Sequence, residues 1–223
     1  MTFLRKWFGK KDAKNEVTQD QSAEEEGDKF YDAKVVGLER VLGRMNNIVG
    51  HAVIPFEVGG AVDMYYFLDH IPGTGFATME LLNVEGNGPK PNNFGTYELI
   101  AFTRQAFNRT GEIPTAFDII ERRICGIFTV IGNYSFEAIL NPAQTCEIPG
   151  DNDSESKYLI FDLYQPDGKE FKIGEQSHHL LLCIEIFKNE IEFAWKNGGN
   201  KLLNKLKDAG HYPYSDLDRD SVV

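Results

Sequence analysis

Two histidines stand side by side at His178 and His179, and they are the first residues that could carry chemistry. Neutral imidazole is a common metal ligand and carries a proton near neutral pH. Here the pair opens the apolar run "HLLLCIEIF" of residues 179–187, whose composition predicts a central strand. Neighbours in a strand project from opposite faces, so the two rings do not converge on one ion. His51, His70 and His211 have no partner at ligand spacing. Cys125 and Cys183 fall in apolar segments and read as small buried hydrophobes, while Cys146 sits in a loop with nothing nearby to lower its pKa. "DNDSE" at 151–155 lacks the glycine and distant glutamate of a calcium loop, and Gly86-Asn87-Gly88 is not followed by a helix that would cradle phosphate. Glu185, Glu190 and Glu192 read as solvated charge. No catalytic, cofactor or metal motif emerges. An enzyme here would need a site assembled from dispersed residues, with a pocket joining His178 or His179 to Glu98 or Glu185.

Composition narrows the classes. The 223 residues are 42% apolar and 12% aromatic, with 16 phenylalanines, enough for a sizeable core. A net charge of −11 would repel a phosphate backbone, so nucleic acid is a poor partner and a basic protein a better one. Three widely spaced cysteines form neither a disulfide framework nor a CxxC site, which fits a reducing, cytoplasmic setting. No run of 18 apolar residues appears in the sequence.

Two segments precede the elements that would position a site. Residues 1–14 carry Arg5, Lys6, Lys10, Lys11 and Lys14 against Asp12, and residues 15–28 carry six acids and no base. The acidic stretch reads as a disordered linker, which gives a tail over 1–28 and a domain over 29–223. Phe3, Leu4, Trp7 and Phe8 fall at helical spacing beside the bases, a pattern suited to membrane-surface contact or partner docking.

A helix is expected over 32–46, from Val35, Leu38, Leu42 and Met45. "HAVIPFEVGGAVDMYYF", residues 51–67, reads as a hairpin turning at Gly59-Gly60, with Pro55 marking its first strand as an edge or a bulge. Further strands are expected at 76–82, 94–104, 157–164 and 179–187. A helix should begin at Pro114 and bury Phe117, Ile120, Ile124, Phe128 and Ile131. Residues 141–157 read as loop, and two short helices follow residue 187. The expected fold is α/β, of the α+β kind: a mixed, largely antiparallel sheet flanked by helices.

The last third of the chain, "LLLCIEIFKNEIEFAWKNGGNKLLNKLKDAGHYPYSDLDR", resembles the suppressor of fused domain family. There an apolar strand runs into a glutamate-bearing helix, followed by a glycine, an LLxxL-type helix, a proline turn and an Asp-x-x-Arg ending. The matching positions are Glu190, Gly199, Leu202, Leu203, Leu206, Pro213, Asp216 and Arg219. Upstream, "GPKPNNFGTYELIAFTR" matches a second motif at Gly88, Pro89, Phe94, Gly95, Glu98 and Leu99. The resemblance covers about residues 30–223, and it implies a non-catalytic domain that binds other proteins. The animal member restrains a transcription factor with the help of a second domain, which this sequence does not match. Bacterial single-domain relatives are proposed as immunity proteins that neutralise toxins, so a basic toxin domain becomes the implied partner. Strand addition to an open edge is the expected mode, at the Pro55 strand or at the 94–104 strand, with Pro55, Phe94, Tyr97 and Glu98 as contacts. A membrane-surface adaptor tethered by residues 1–14 is the alternative outside this class.

Overall fold

The computed structural model describes residues 13–109, 114–150 and 155–223, with side chains from residue 25 onward. A long helix, α1 (Ala13–Leu42), enters first. Strands β1 (Met45–Gly50), β2 (Met64–Phe67), β3 (Thr74–Ala77) and β4 (Tyr97–Thr103) follow. After α2 (Ala116–Ser135) come β5 (Thr145–Ile148), β6 (Lys157–Leu163), β7 (Phe171–Ile173) and β8 (Gln176–Ile186). Helices α3 (Lys188–Asn197) and α4 (Gly199–Asp208) complete the order.

The strands form one sheet in the order β1-β2-β3-β4-β8-β6-β5, with β7 paired beside the start of β8. All pairings are antiparallel except β4 with β8, so the sheet is mixed and largely antiparallel as the sequence implied. From Leu180 to Ile186 β8 is apolar apart from Glu185, because both of its faces are covered there. Leu180, Leu182, Ile184 and Ile186 pack under α1, α3 and α4, and Leu181 and Cys183 pack under α2. Thr115 caps α2 with Asp118 in a reciprocal capping box, and Phe117, Ile124, Phe128 and Ile131 are buried along one stripe.

Several expectations shift. Gly43, at φ +78°, ends α1 at Leu42, and the next residues form β1 instead of a last helical turn. The helix also reaches back across residues 13–28, so the expected boundary at residue 28 falls inside it. Residues 52–58 are not a strand. Val58 N–H donates to Pro55 O at 3.2 Å and Gly59 N–H to Phe56 O at 3.0 Å, closing a 3-10 turn at Phe56–Val58. Pro55 brings no donor to a ladder, so β2 pairs with β1 instead. The 94–104 strand exists as β4, but it lies between β3 and β8 and all seven of its residues are buried. The segment read as loop at 141–157 contains β5.

Candidate functional site

The residues expected to meet a partner divide sharply. Glu98 is fully buried and committed, with its carboxylate 3.0 Å from Lys34 Nζ. It also accepts hydrogen bonds from Thr78 Oγ1 at 2.7 Å and Leu82 N at 3.0 Å. Tyr97 is buried beside it. Neither can touch a partner, because a central strand presents no edge and both of its faces are covered. Pro55 and Phe94 do reach the surface, and Phe94 is 56% exposed.

The family-motif positions form an internal brace. Arg219 grips Glu190 through both terminal nitrogens, at 2.7 and 2.8 Å, and Glu190 also caps α3 by accepting from Phe187 N at 2.9 Å. Burial works to raise the Glu190 pKa, but the bonds from Arg219, Val222 N–H and Phe187 N–H outweigh it and hold the carboxyl below its ordinary value. Asp216 accepts from Thr103 Oγ1 and from Arg104 N–H at 2.8 Å, fastening the C-terminal segment to the end of β4. Gly88 packs against Leu82, Pro89 is buried, and Gly95 closes a tight turn with Asn92. Glu185 and Glu190 are therefore not solvated charges: Glu185 is buried and meets Arg123 Nη2 at 2.6 Å. Burial raises the pKa of all three cysteine thiols.

Two surface features remain. The sheet ends at β1 on one side and β5 on the other, and among the described residues no strand pairs beyond either. β1 carries a register shift between Met45 and Val49, and such a bulge distorts the row of free backbone groups. β5 pairs in unbroken register with β6 from Thr145–Ile160 to Ile148–Lys157. Beside its start runs a groove of about 390 Å³ lined by residues including Tyr134, Ile139, Thr145, Cys146, Ala194 and Gly199. Ile139 and Trp195 stand 55% and 62% exposed around it, and the Trp195 indole N–H donates to Thr145 Oγ1 at 3.1 Å. Sequence reasoning missed this edge because β5 lay inside a presumed loop.

The second feature is a recess of about 160 Å³ at the start of β8, which brings His178, His179 and Phe94 together with Tyr164 and Phe171. Glu98 and Glu185 do not line it, so the acid–imidazole pocket that an assembled enzyme site required is not formed there. His178 Nδ1 lies 2.8 Å from Thr96 Oγ1. His179 is only 7% exposed, between Phe94 and Tyr97, and burial with the neighbouring His178 pushes its pKa down to about 4. Among the described residues no three His, Cys, Asp or Glu side chains gather as a metal site, and no helix is long and apolar enough to cross a membrane. Phe3, Leu4, Trp7 and Phe8 lie outside the described residues.

Neither a family model nor a curated protein sequence matches the chain. Solved structures do. A chain of the Sufu–Fu complex crystal structure superposes with a TM-score of 0.59 at 17% identity, over 86% of this chain and 91% of that one. The fold is that of suppressor of fused. The crystal structure of Drosophila Suppressor of Fused agrees, with a TM-score of 0.56 at 16% identity over 84% of this chain. This chain spans 50% of that Drosophila chain.

Proposed function

We propose that this chain is a non-catalytic protein-interaction module of the suppressor of fused type, which adds an extended segment of a partner to the open edge of β5. The observation that carries the reading is that edge: four residues in unbroken register, with no strand beyond them among the described residues, beside a groove flanked by exposed Ile139 and Trp195. Main-chain bonds along the edge would supply affinity, and the groove would select side chains. An exposed aromatic at the margin of a cleft is a common seat of binding energy. A chain of this fold also occurs in the Sufu–Fu complex, which supports a role in assembly. The net charge of −11 favours a basic partner, and a toxin domain neutralised by this chain is the specific form we propose.

The test is capture of partners by the tagged full chain from its own cells, followed by amide hydrogen exchange on the complex. Exchange should slow at residues 145–148, and Ile139→Glu should abolish capture without altering thermal stability. A partner that protects other segments and still binds Ile139→Glu would remove the edge from the reading. Empty beads would remove the interaction module itself.

A further inference from the structure

The open edge of β5 begins at a backbone irregularity that decides how it can be used. Gln144 N–H donates to Asn141 O at 3.1 Å, and Ala143 holds φ +63°. Asn141-Pro142-Ala143-Gln144 is thus a turn with proline at its second position and a left-handed third residue, where glycine is usual. Ala143 N–H then donates to Phe161 O at 2.7 Å, while Phe161 N–H donates to Gln144 O at 3.0 Å. Two residues of one strand oppose one residue of the other, which is a bulge of the kind that places glycine in its left-handed position. Ala143 fills that position, where its Cβ crowds the backbone as a glycine would not. Helix α4 holds the bulge from the side: a Cβ on Gly199 would lie 1.9 Å from the Ala143 carbonyl oxygen.

Antiparallel ladders alternate between residues that exchange bonds with the neighbouring strand and residues whose N–H and C=O point away from it. The bulge makes Gln144–Phe161 a bonded position, so the register continues with bonded pairs at Cys146–Leu159 and Ile148–Lys157. The other side of β6 agrees. Tyr164 N–H donates to Leu180 O at 3.0 Å, which in the β6–β8 register commits Asp162, Ile160 and Tyr158 to β8 and leaves Phe161, Leu159 and Lys157 for β5. Thr145 and Glu147 therefore carry the outward backbone groups. Their side chains share one face, and the bond from the Trp195 indole to Thr145 Oγ1 marks it as the α3 face. Cys146 and Ile148 pack against the apolar cluster under α2. Glu147 is exposed and, among the described residues, in no ion pair.

On the strand-addition reading above, we propose that the Ala143–Gln144 bulge sets the pairing phase of the edge. A partner's extended segment then bonds to the backbone of Thr145 and Glu147, not to that of Cys146 and Ile148. The partner side chains directly opposite Thr145 and Glu147 lie on the α3 face, where the Glu147 carboxylate and the exposed Trp195 ring take a basic residue. The side chains between them turn to the α2 face, beside Cys146 and Ile148, and are apolar. A slip of one residue would exchange the two sets, so the phase carries the specificity. Ala143 is a positioning residue: it acts through the strand that it launches.

Residue-resolved amide exchange of the full chain, read by NMR, tests the phase without any partner. Protection factors at Cys146 and Ile148 should exceed those at Thr145 and Glu147 by about tenfold or more. Ala143→Gly keeps the left-handed backbone and should preserve the alternation; Ala143→Val, whose branched side chain is excluded from that backbone, should erase it. A peptide of alternating lysine and valine, added in excess, should raise protection at Thr145 and Glu147, and its counterpart of alternating glutamate and valine should not. Equal protection at all four amides of the unaltered chain, or the reverse alternation, would overturn the phase even if Ala143→Val fails to fold. Equal effects of the two peptides would overturn the basic specificity. The expected alternation with no response to either peptide would leave the phase standing and remove strand addition itself, so the two failures are told apart.

Discussion

His179 gives the chain an acid sensitivity whose size can be worked out. Its pKa is about 4 in the folded protein and 6.5 when unfolded. The unfolded chain thus binds more protons throughout that window, so stability falls as pH falls through it. Well below about pH 4 the full penalty is about 3 kcal/mol, from the interval between about 4 and 6.5 at 1.36 kcal/mol per pH unit. At about pH 4.5 the same two values give about 2–3 kcal/mol, and at about pH 7.5 they give almost nothing. Replacement by leucine removes the titration. Urea unfolding of the unaltered chain and of His179→Leu at the two pH values isolates it together with its coupling to His178, because the groups that do not interact with His179 cancel in the difference between proteins. The unaltered chain should lose about 2–3 kcal/mol more than the variant on acidification. A double difference below about 0.5 kcal/mol would refute the reasoning, since that is the ordinary scatter of independent sites.

Other predictions rest on buried pairs and close approaches. Arg219→Met leaves the Glu190 carboxylate buried and unpaired and should cost about 3–5 kcal/mol in urea unfolding; the double variant with Glu190→Gln should recover part of this, and failure to recover would mean that packing dominates over charge. Lys34→Met should destabilise by a similar amount, about 3–5 kcal/mol, because Glu98 loses its cation and the Met79 and Leu82 carbonyls lose their donor. Gly37→Ala places a Cβ 2.0 Å from the Lys172 carbonyl oxygen, so β7 must move away from α1; amide exchange should accelerate at 171–173. Trp195→Ala should change folding stability by less than about 0.5 kcal/mol and weaken partner capture by about 2 kcal/mol or more, and equal losses in both assays would contradict an interface role.

What could be read in advance followed the strength of the local pattern. β8 and α2 were legible because their apolar spacing extends over many residues. β5 was not: Thr145–Ile148 is four residues long, half-exposed and set among asparagine, proline and glycine. β1 was absorbed into the preceding helix because Met45 continues the spacing of Leu38 and Leu42, and nothing local reveals that Gly43 turns left-handed. Phe94 was found as a surface residue, whereas Tyr97 and Glu98 were misplaced, since a strand's rank within a sheet is decided by its neighbours. Glu190 and Arg219 were picked out by resemblance, but the ion pair between them spans 29 residues. Lys34 lies 64 residues from Glu98, and nothing in its own neighbourhood announces a buried lysine. The burial of His179 is likewise a tertiary property, set by Phe94 and Tyr97 packing against its ring.

The position of β8 also governs the order in which this molecule can be assembled. It is the last strand to be synthesised, yet it sits between β4 and β6 and joins two groups of strands that otherwise share no ladder. Until Ile186 has left the ribosome, β1–β4 and β5–β6 have ladder partners only within their own groups, and each group has an extra unprotected edge. Such edges are templates for wrong pairing, and long-range closure of this kind is intrinsically slow. The most apolar strand is thus a keystone delivered late, and the chain spends its vulnerable interval before that strand arrives.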